Sequence, residues 1–481
     1  MAQARESQGK LVAVVLAAGK GTRMKSELPK VLHPICGQPL ALFPIRAALE
    51  AGASAIVVVV GHGAGLVESA LRTAMPDAPL SFALQAEQKG TGHAARCAKD
   101  ALLAKGVGPG DRILLLAGDV PLLRAETLRA LVRAQAESGA ALSLVTTEIA
   151  DATGYGRVIR KSDGSVACIV EEKDASPSER LVREANASIY CAEAGFLFEA
   201  LEHLNPQNAQ GEYYLTDIVA LAAQQSDEAN GRPAAVKANE NDVAGVNDRA
   251  QLAWAGAQWN ARNLEALMKS GVTVLDPRAT WVDAGVQVGH DATLEPLCSL
   301  RGKTKIGKGV LVGQGTIVID SDVADGARIL PYCHIEQAVV GERAVVGPYA
   351  RLRPAAVLEE GAHVGNFVEL KKTRLGKGSK ANHLAYLGDA EIGAGVNVGA
   401  GTITCNYDGV NKHVTKIEDG AFIGSDTQLI APITVGAGAY VGTGTTLRED
   451  VPPGALAVSA GKQRNIDGWV ARRAPASNKA K

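Results

Sequence analysis

Arg23, Lys30 and Asp119 are the first residues whose types and spacing could do chemistry. Arg23 and Lys30 sit in "LAAGKGTRMKSELPKVL" (16–32), a turn in which Gly19 and Gly21 let backbone N–H groups approach an anion. A guanidinium fork and a flexible ammonium both suit phosphate oxygens. Asp119 follows an apolar run in "LAGDVP" and offers a hard oxygen ligand for Mg²⁺, which takes few protein ligands plus substrate phosphates. The turn fails two known phosphate cradles. Lys20 is followed by Gly21, which breaks the P-loop pattern, and Met24 holds the third glycine position of the dinucleotide pattern. A solvated basic turn and a helix-capping aspartate remain open readings of these residues alone. Far downstream, His383 lies in the polar stretch "GSKANHLAYLGD". An imidazole there could remove a proton near neutral pH.

Such residues need elements to hold them. Apolar runs at Leu11–Leu16, Ile56–Val60, Ile113–Leu116 and Leu142–Thr147 alternate with helical stretches such as Glu126–Ala136. That alternation predicts a parallel sheet covered on both faces, with ligands outside the carboxyl ends of its strands. The segments "LQAEQKGTGHA", "TGYGR", "IVEEKD" and "GVNDR" add polar groups at strand ends or turns.

From Val282 the pattern changes to a period of six. Aliphatics recur at 282, 288, 294, 300, 306, 312 and 318, slip by one to 323, 329 and 335, and slip again to 340 through 370. A last run holds from 417 to 447, often with Gly following the aliphatic. This is the hexapeptide signature of a parallel β-helix, about 18 residues per three-sided coil. The stretch "GAGTITCNYDGVNKHVT" between Val398 and Ile417 reads as an interruption, and loops on rigid scaffolds often carry function. Between the halves, 248–270 has helical spacing, with Trp254 expected in a core and Leu264, Leu267 and Met268 packing on one domain.

Composition fits both halves. The chain has 481 residues with 46% hydrophobic, 4% aromatic and 53 Gly, as thin repeated layers of small side chains require. A net charge of −1 favours neither nucleic acid nor an acidic membrane as partner. Seven scattered Cys without C-x-x-C pairing, and a polar start without an apolar core, predict a reduced, cytoplasmic protein. No apolar run is long enough to span a membrane. The expected domains are an extension at 1–10, a catalytic domain at 11–247, a linker helix at 248–271, the repeat domain at 272–470 and a disordered basic tail at 471–481.

The motifs L-A-A-G-K-G-T-R-M, L-P-K-V-L, Q-A-E-Q-x-G-T-G-H-A, G-D-V-P and T-G-Y-G-R resemble those of nucleotide-sugar pyrophosphorylases. The long stretch K-K-x-R-L-G-K-G-S-K-A-x-H-L-x-Y-L-G-D-A-E-I-G, with G-A-G-T-I-T-C-N-Y-D-G, resembles the acetyltransferase half of one bifunctional family. That family joins N-acetylglucosamine-1-phosphate uridylyltransferase to glucosamine-1-phosphate N-acetyltransferase, and the resemblance covers about 11–470.

It implies an α/β Rossmann-like nucleotidyltransferase domain followed by a left-handed parallel β-helix of hexapeptide repeats. It implies acetylation of glucosamine 1-phosphate by acetyl-CoA, then transfer from UTP to N-acetylglucosamine 1-phosphate with Mg²⁺, in a homotrimer. It makes His383 the acetyltransferase base, with Arg353, Lys371, Tyr386 and Asn397 on the sugar phosphate. Ala400, Asn406, Tyr407, Ser425 and Thr443 fall where acetyl-CoA is contacted. In the first domain it assigns Leu16, Ala17, Ala18, Gly19, Lys30, Gln85, Gly90, Thr91, Gly118, Gly156, Glu171 and Asn186 to the nucleotide sugar and Asp119 and Asn247 to the metal, and it makes Arg23 catalytic, neutralising the phosphates with Mg²⁺ and Lys30. Four departures stand out: Ala117 for Tyr, Asn186-Ala187-Ser188 for N-T-G, Thr443 for Ala, and Ala460 for Arg, whose role Lys462 or Arg464 would take. Competing readings are a single-activity nucleotidyltransferase with a structural β-helix, a regulatory scaffold, and a zinc enzyme. The intact G-x-G-T-R-M loop, the K-K…H-x-x-Y…N-Y-D-G set and the lack of a zinc motif around His334, His363 and His383 argue against them.

Overall fold

The structure is a computed structural model and describes residues 9–225 and 231–459, with 461, 463, 465–467, 469 and 472. Ala460, Lys462, Arg464, residues 1–8 of the expected extension and all of the expected tail except Arg472 lie outside the described residues. The chain divides into two compact units, Met1–Asn263 and Leu264–Lys481.

The first unit is built on a sheet whose main strands are β1 (Leu11–Ala17), β2 (Ile56–Val60), β3 (Leu80–Leu84), β4 (Arg112–Ala117), β5 (Leu142–Glu148), β6 (Glu184–Glu193) and β7 (Ala234–Lys237). Their order is β7-β5-β6-β4-β1-β2-β3. The unbroken apolar sequence of β1 follows from its central place. Val12 and Val14 enter one core and Ala13 and Val15 the other, so both faces are buried. The expected all-parallel sheet is not what forms. β1 runs parallel to β2 and β4, but β6 lies antiparallel between β4 and β5. The cause is local: β6 follows the hairpin Arg157–Arg160/Val166–Val170 instead of a helical crossover.

The second unit is a left-handed parallel β-helix with three sheets of 11, 10 and 9 strands. Each coil lays its aliphatics on the next: Leu352 pairs with Leu370, Val346 with Val364 and Leu358 with Leu375, all essentially buried. The two phase slips are shortened corners. Leu300 pairs with Val318, eighteen residues on, whereas Val318 pairs with Ile335, seventeen on. Asp320 and Gln337, both at φ 46, close these corners in the left-handed conformation with one residue fewer. The register therefore survives the slip.

The interruption is shorter than the aliphatic pattern predicts. Strand Ile403–Cys405 continues the coil, and only Asn406–Val414 leaves it. Thr404 holds the inward position there, buried, and accepts from the Gly388 amide at 2.7 Å. A search for aliphatics passes over a threonine whose hydroxyl is satisfied internally.

Helix Arg249–Lys269 is present, but Trp254 is 38% exposed and so not in a core. Ala255 and Trp259 face inward instead, with Trp259 edge-on to Phe43 at 5.7 Å. Leu264 is fully buried in the core of the second unit.

Because each coil contacts only its neighbours, a charge placed inside has no route to water. Val346→Asp is expected to destabilise the β-helix by about 4 kcal/mol or more. Denaturant unfolding of the full chain followed by circular dichroism checks this. A loss below about 1 kcal/mol would contradict the inward assignment.

Two candidate active sites

In the first unit a cavity of about 610 Å³ opens at the carboxyl ends of the central strands. It is lined by Leu16, Ala17, Ala18, Gly19, Arg23, Lys30, Gln85, Gly90, Thr91, Asp119, Gly156, Glu171, Asn186 and Asn247. Gly118 is not part of the wall. It is buried behind it, its N–H donating to Leu16 O at 2.9 Å, and a Cβ there would sit 2.9 Å from that oxygen.

The cavity has a cationic middle. Lys30 Nζ is ion-paired to Asp119 and lies 3.2 Å from Asn247 Oδ1, which also accepts from Arg23 at 2.8 Å. Two backbone features put these groups together. Gly21 has φ 58, and a Cβ on it would lie 2.5 Å from Lys30 Cβ, so the basic loop folds only with glycine there. The Val246 N–H donates to Asp119 O at 2.9 Å, which docks the segment carrying Asn247 on the end of β4. The Asp119 carboxylate and the Asn247 amide oxygen thus converge on one cationic centre. Hard oxygens in that arrangement fit a small divalent ion. Among the described residues no group of three or more His, Cys, Asp or Glu could hold a metal alone. A cation here would therefore complete its shell with phosphate and water oxygens.

The two ends of the cavity differ. On the β3 side, Gln85 is 4% exposed and its amide nitrogen donates to Gly90 O at 3.0 Å. Gly90 has φ 100, and a Cβ there would fall 2.6 Å from Tyr213 O. Gln88 donates to Ala18 O at 2.7 Å and ties this end to the basic loop. On the β6 side, Thr216 donates to Glu171 at 3.0 Å, and burial pushes the Glu171 carboxyl above its ordinary range. Asn186 donates to Tyr190 OH at 2.7 Å and accepts from the Ser188 N–H at 3.0 Å, across an irregularity in β6. Ser188 has φ 56, which explains why glycine would be the easy residue at that place. Ala117 also lines the cavity and, as expected, offers no ring.

In the second unit the expected residues fall on one corner and the two faces meeting there. Asn366, His383, Ala400, Ser425 and Thr443 each follow the opening residue of a paired strand by three (363, 380, 397, 422 and 440), so they stack on one corner. His383 is exposed and its Nδ1 lies 2.9 Å from Asn366 Oδ1. The amide oxygen only accepts, so Nδ1 carries the proton and Nε2 is left as an acceptor. Asn397 opens the next strand on the first face.

Arg353, Lys371 and Tyr386 are on the second face. Arg353 pairs with Glu369 at 2.9 Å and Lys371 with Asp389 at 3.5 Å. Asp389 also accepts from Asn406. A Cβ on Gly388 would strike both Tyr386 OH and Asn406 Nδ2, so these two groups meet above that glycine. Tyr407 is exposed on the excursion, its hydroxyl donating to Gly409 O at 2.5 Å.

Lys412 was not singled out by sequence. It faces Lys371, and that contact holds its amine below the usual lysine range. Two ammonium groups side by side are relieved by an anion between them. Its place in the "DGVNKHV" excursion was the only available signal. A second concavity of about 580 Å³, lined by residues including Lys372, Arg374 and Glu391, holds none of the expected residues.

Fold and sites together define a two-domain transferase, with a nucleotidyltransferase unit followed by a hexapeptide β-helix. Residues 13–211 match the MobA-like NTP transferase domain, and 280–375 match the GMPPB C-terminal domain. The bifunctional protein GlmU of Anaeromyxobacter sp. (strain Fw109-5) is 56% identical over 98% of this chain and 94% of its own. That of Sorangium cellulosum is 50% identical over 96% of each chain. That of Geobacter metallireducens is 48% identical over 96% of this chain and 98% of its own. The chain belongs to the bifunctional GlmU family. It is an enzyme of UDP-N-acetylglucosamine synthesis, acetylating glucosamine 1-phosphate and then transferring uridylyl from UTP to the acetylated sugar phosphate with release of pyrophosphate.

Proposed function

We propose that uridylyl transfer takes place in the 610 Å³ cavity with Mg²⁺ at Asp119 and Asn247, and that acetyl transfer takes place at the corner of His383. The observation that carries the first half is the convergence of Asp119, Asn247, Lys30 and Arg23 on one point between an uncharged end and a hydroxyl-binding end. The base lies against Gln85, Gly90 and Thr91, and the sugar against Gly156, Glu171 and Asn186. The Leu16–Gly19 backbone and the basic loop hold the phosphates between them. When bound, the divalent ion supplies neutralisation of phosphate charge. Arg23 and Lys30 add to it and orient the phosphates, so that an oxygen of the sugar phosphate is placed in line with the α-phosphorus of UTP. Gly118 keeps the wall closed behind them.

At the β-helix, Arg353, Lys371 and Lys412 bind the sugar phosphate, and Tyr386 and Asn397 orient the ring. His383 Nε2 takes the proton from the sugar ammonium, the freed amine attacks the thioester carbonyl of acetyl-CoA, and the C–S bond then breaks to expel CoA as a thiolate that takes up the proton shed by the acylated nitrogen. Ala400, Asn406, Tyr407, Ser425 and Thr443 line the acetyl-CoA side.

Chelation tests the division of labour. EDTA is expected to abolish UDP-N-acetylglucosamine formation from N-acetylglucosamine 1-phosphate and UTP, with restoration by Mg²⁺. Thioester consumption with glucosamine 1-phosphate should continue unchanged. Equal loss of both activities would sink the assignment.

We also propose a homotrimer, in the cytoplasm. Two features support self-association. The residues of the acetyltransferase site are spread over a corner and both adjoining faces. The same corner carries Leu297, Tyr332, Tyr349, Phe367 and Leu384, all exposed and all at positive φ. Tyr332, Tyr349 and Phe367 stack at 5.3 and 5.5 Å into an apolar ridge. A light-scattering mass of one chain of 49.8 kDa, in place of three, would refute it. Among the described residues no helix is long and apolar enough to cross a membrane.

A further inference from the structure

His93 lies behind the cavity wall, is not among its lining residues, and has no part in the chemistry described above. Its Nδ1 is 3.1 Å from the amide nitrogen of Gln85. The same nitrogen donates to Gly90 O at 3.0 Å. A backbone carbonyl can only accept, so the end of the Gln85 amide facing Gly90 must be the NH₂ group. Its two hydrogens are then both committed, one to Gly90 O and one to His93 Nδ1. Nδ1 must be an unprotonated acceptor to receive the second, which places the ring proton on Nε2, toward Cys97 Sγ at 4.0 Å. The ring is held in turn by Tyr213, whose centroid is 6.4 Å away, and the Arg96 guanidinium lies 5.1 Å over the far ring.

With the NH₂ end locked, Gln85 can present only its carbonyl oxygen to the cavity. Both of its side-chain hydrogen bonds run through the nitrogen, and Gln85 lines the cavity. A fixed lone acceptor discriminates between pyrimidines. Uracil offers N3–H, a donor, whereas cytosine offers N3 as an acceptor and would face it lone pair to lone pair. An amide held by the Gly90 bond alone could turn its NH₂ to cytosine at the loss of that single bond, and would discriminate less.

We propose that His93 is a positioning residue for nucleobase selection, holding the Gln85 amide in the one orientation that accepts from uracil N3–H and rejects cytosine. The proposal rests on the reading that the base lies against Gln85.

The test is the ratio of kcat/KM for UTP to that for CTP in the full-length enzyme, measured with N-acetylglucosamine 1-phosphate. His93→Phe keeps a ring beside Tyr213 but removes the acceptor. It is expected to lower the ratio about tenfold, the scale of one hydrogen bond, mainly through a gain with CTP. His93→Asn, whose amide oxygen can fall where Nδ1 lies, is expected to restore most of the ratio. Because both substrates are read in one preparation, a reduced folded fraction cancels. If the phenylalanine variant yields no soluble protein, His93→Leu reads the same quantity.

Gln85→Met separates the two levels of the argument. A ratio unmoved by Gln85→Met overturns the placement of the base, and the proposal with it. A ratio moved by Gln85→Met but unmoved by His93→Phe overturns the positioning role alone.

Discussion

His383→Ala is expected to cut acetylation of glucosamine 1-phosphate by about 10²–10⁴-fold, the usual contribution of a positioned general base. The nucleophile reaches the enzyme as an ammonium, which has no lone pair until a proton leaves. Of the residues stacked at its own position on that corner, Ala400 is apolar and Ser425 and Thr443 are hydroxyls, so none of these takes it near neutral pH. The contact to Asn366 at 2.9 Å leaves Nε2 as the acceptor, so Asn366→Ala should produce a smaller fall of about tenfold by freeing the ring. Formation of UDP-N-acetylglucosamine from N-acetylglucosamine 1-phosphate and UTP should be untouched in both variants. The clean readout supplies each sugar phosphate in turn to the same preparation. If His383→Ala lost both activities equally, two independent sites could not be maintained.

Asp119→Asn is expected to lower kcat for uridylyl transfer by about 10²–10³-fold, the scale seen when one preorganised charge is removed from a transition-state site. The substitution keeps shape and removes charge. It leaves Lys30, only 15% exposed, without its anion, and it replaces the one carboxylate of the proposed metal site. Both effects weaken the field that orients the phosphates. Acetyl transfer measured on the same sample serves as the control for folding. A variant that kept more than a tenth of the parent kcat would show that Asp119 is only a structural partner of Lys30. Raised Mg²⁺ should recover part of the loss if the defect is in metal affinity, and none if it is in positioning.

Residues within a few positions of one another were readable in order of how local their cause is. The basic loop, β1 and the hexapeptide coils each follow from short-range pattern: apolar strand, glycine turn, period of six. Thr404 was missed because it meets an inward demand with a satisfied hydroxyl, which no hydropathy pattern marks. The antiparallel β6 was missed because strand direction depends on whether a hairpin or a helix precedes it, and an apolar run carries no direction of its own. Lys412 was missed because its partner Lys371 lies forty-one positions earlier and meets it only when the excursion folds back.

Sequence alone determined the two architectures and the chemical types at each site, because side-chain periodicity and backbone permissiveness are local properties. It also carried the pairing of a phosphate loop with a histidine-bearing repeat domain. Only tertiary structure decided which groups face each other. Asn247 reaches Arg23 across 224 positions, and His383 shares a corner with Thr443 sixty positions away. Those distances depend on how strands stack and which corner each coil turns. No residue specifies that by itself, since register is a property of all the coils beneath it.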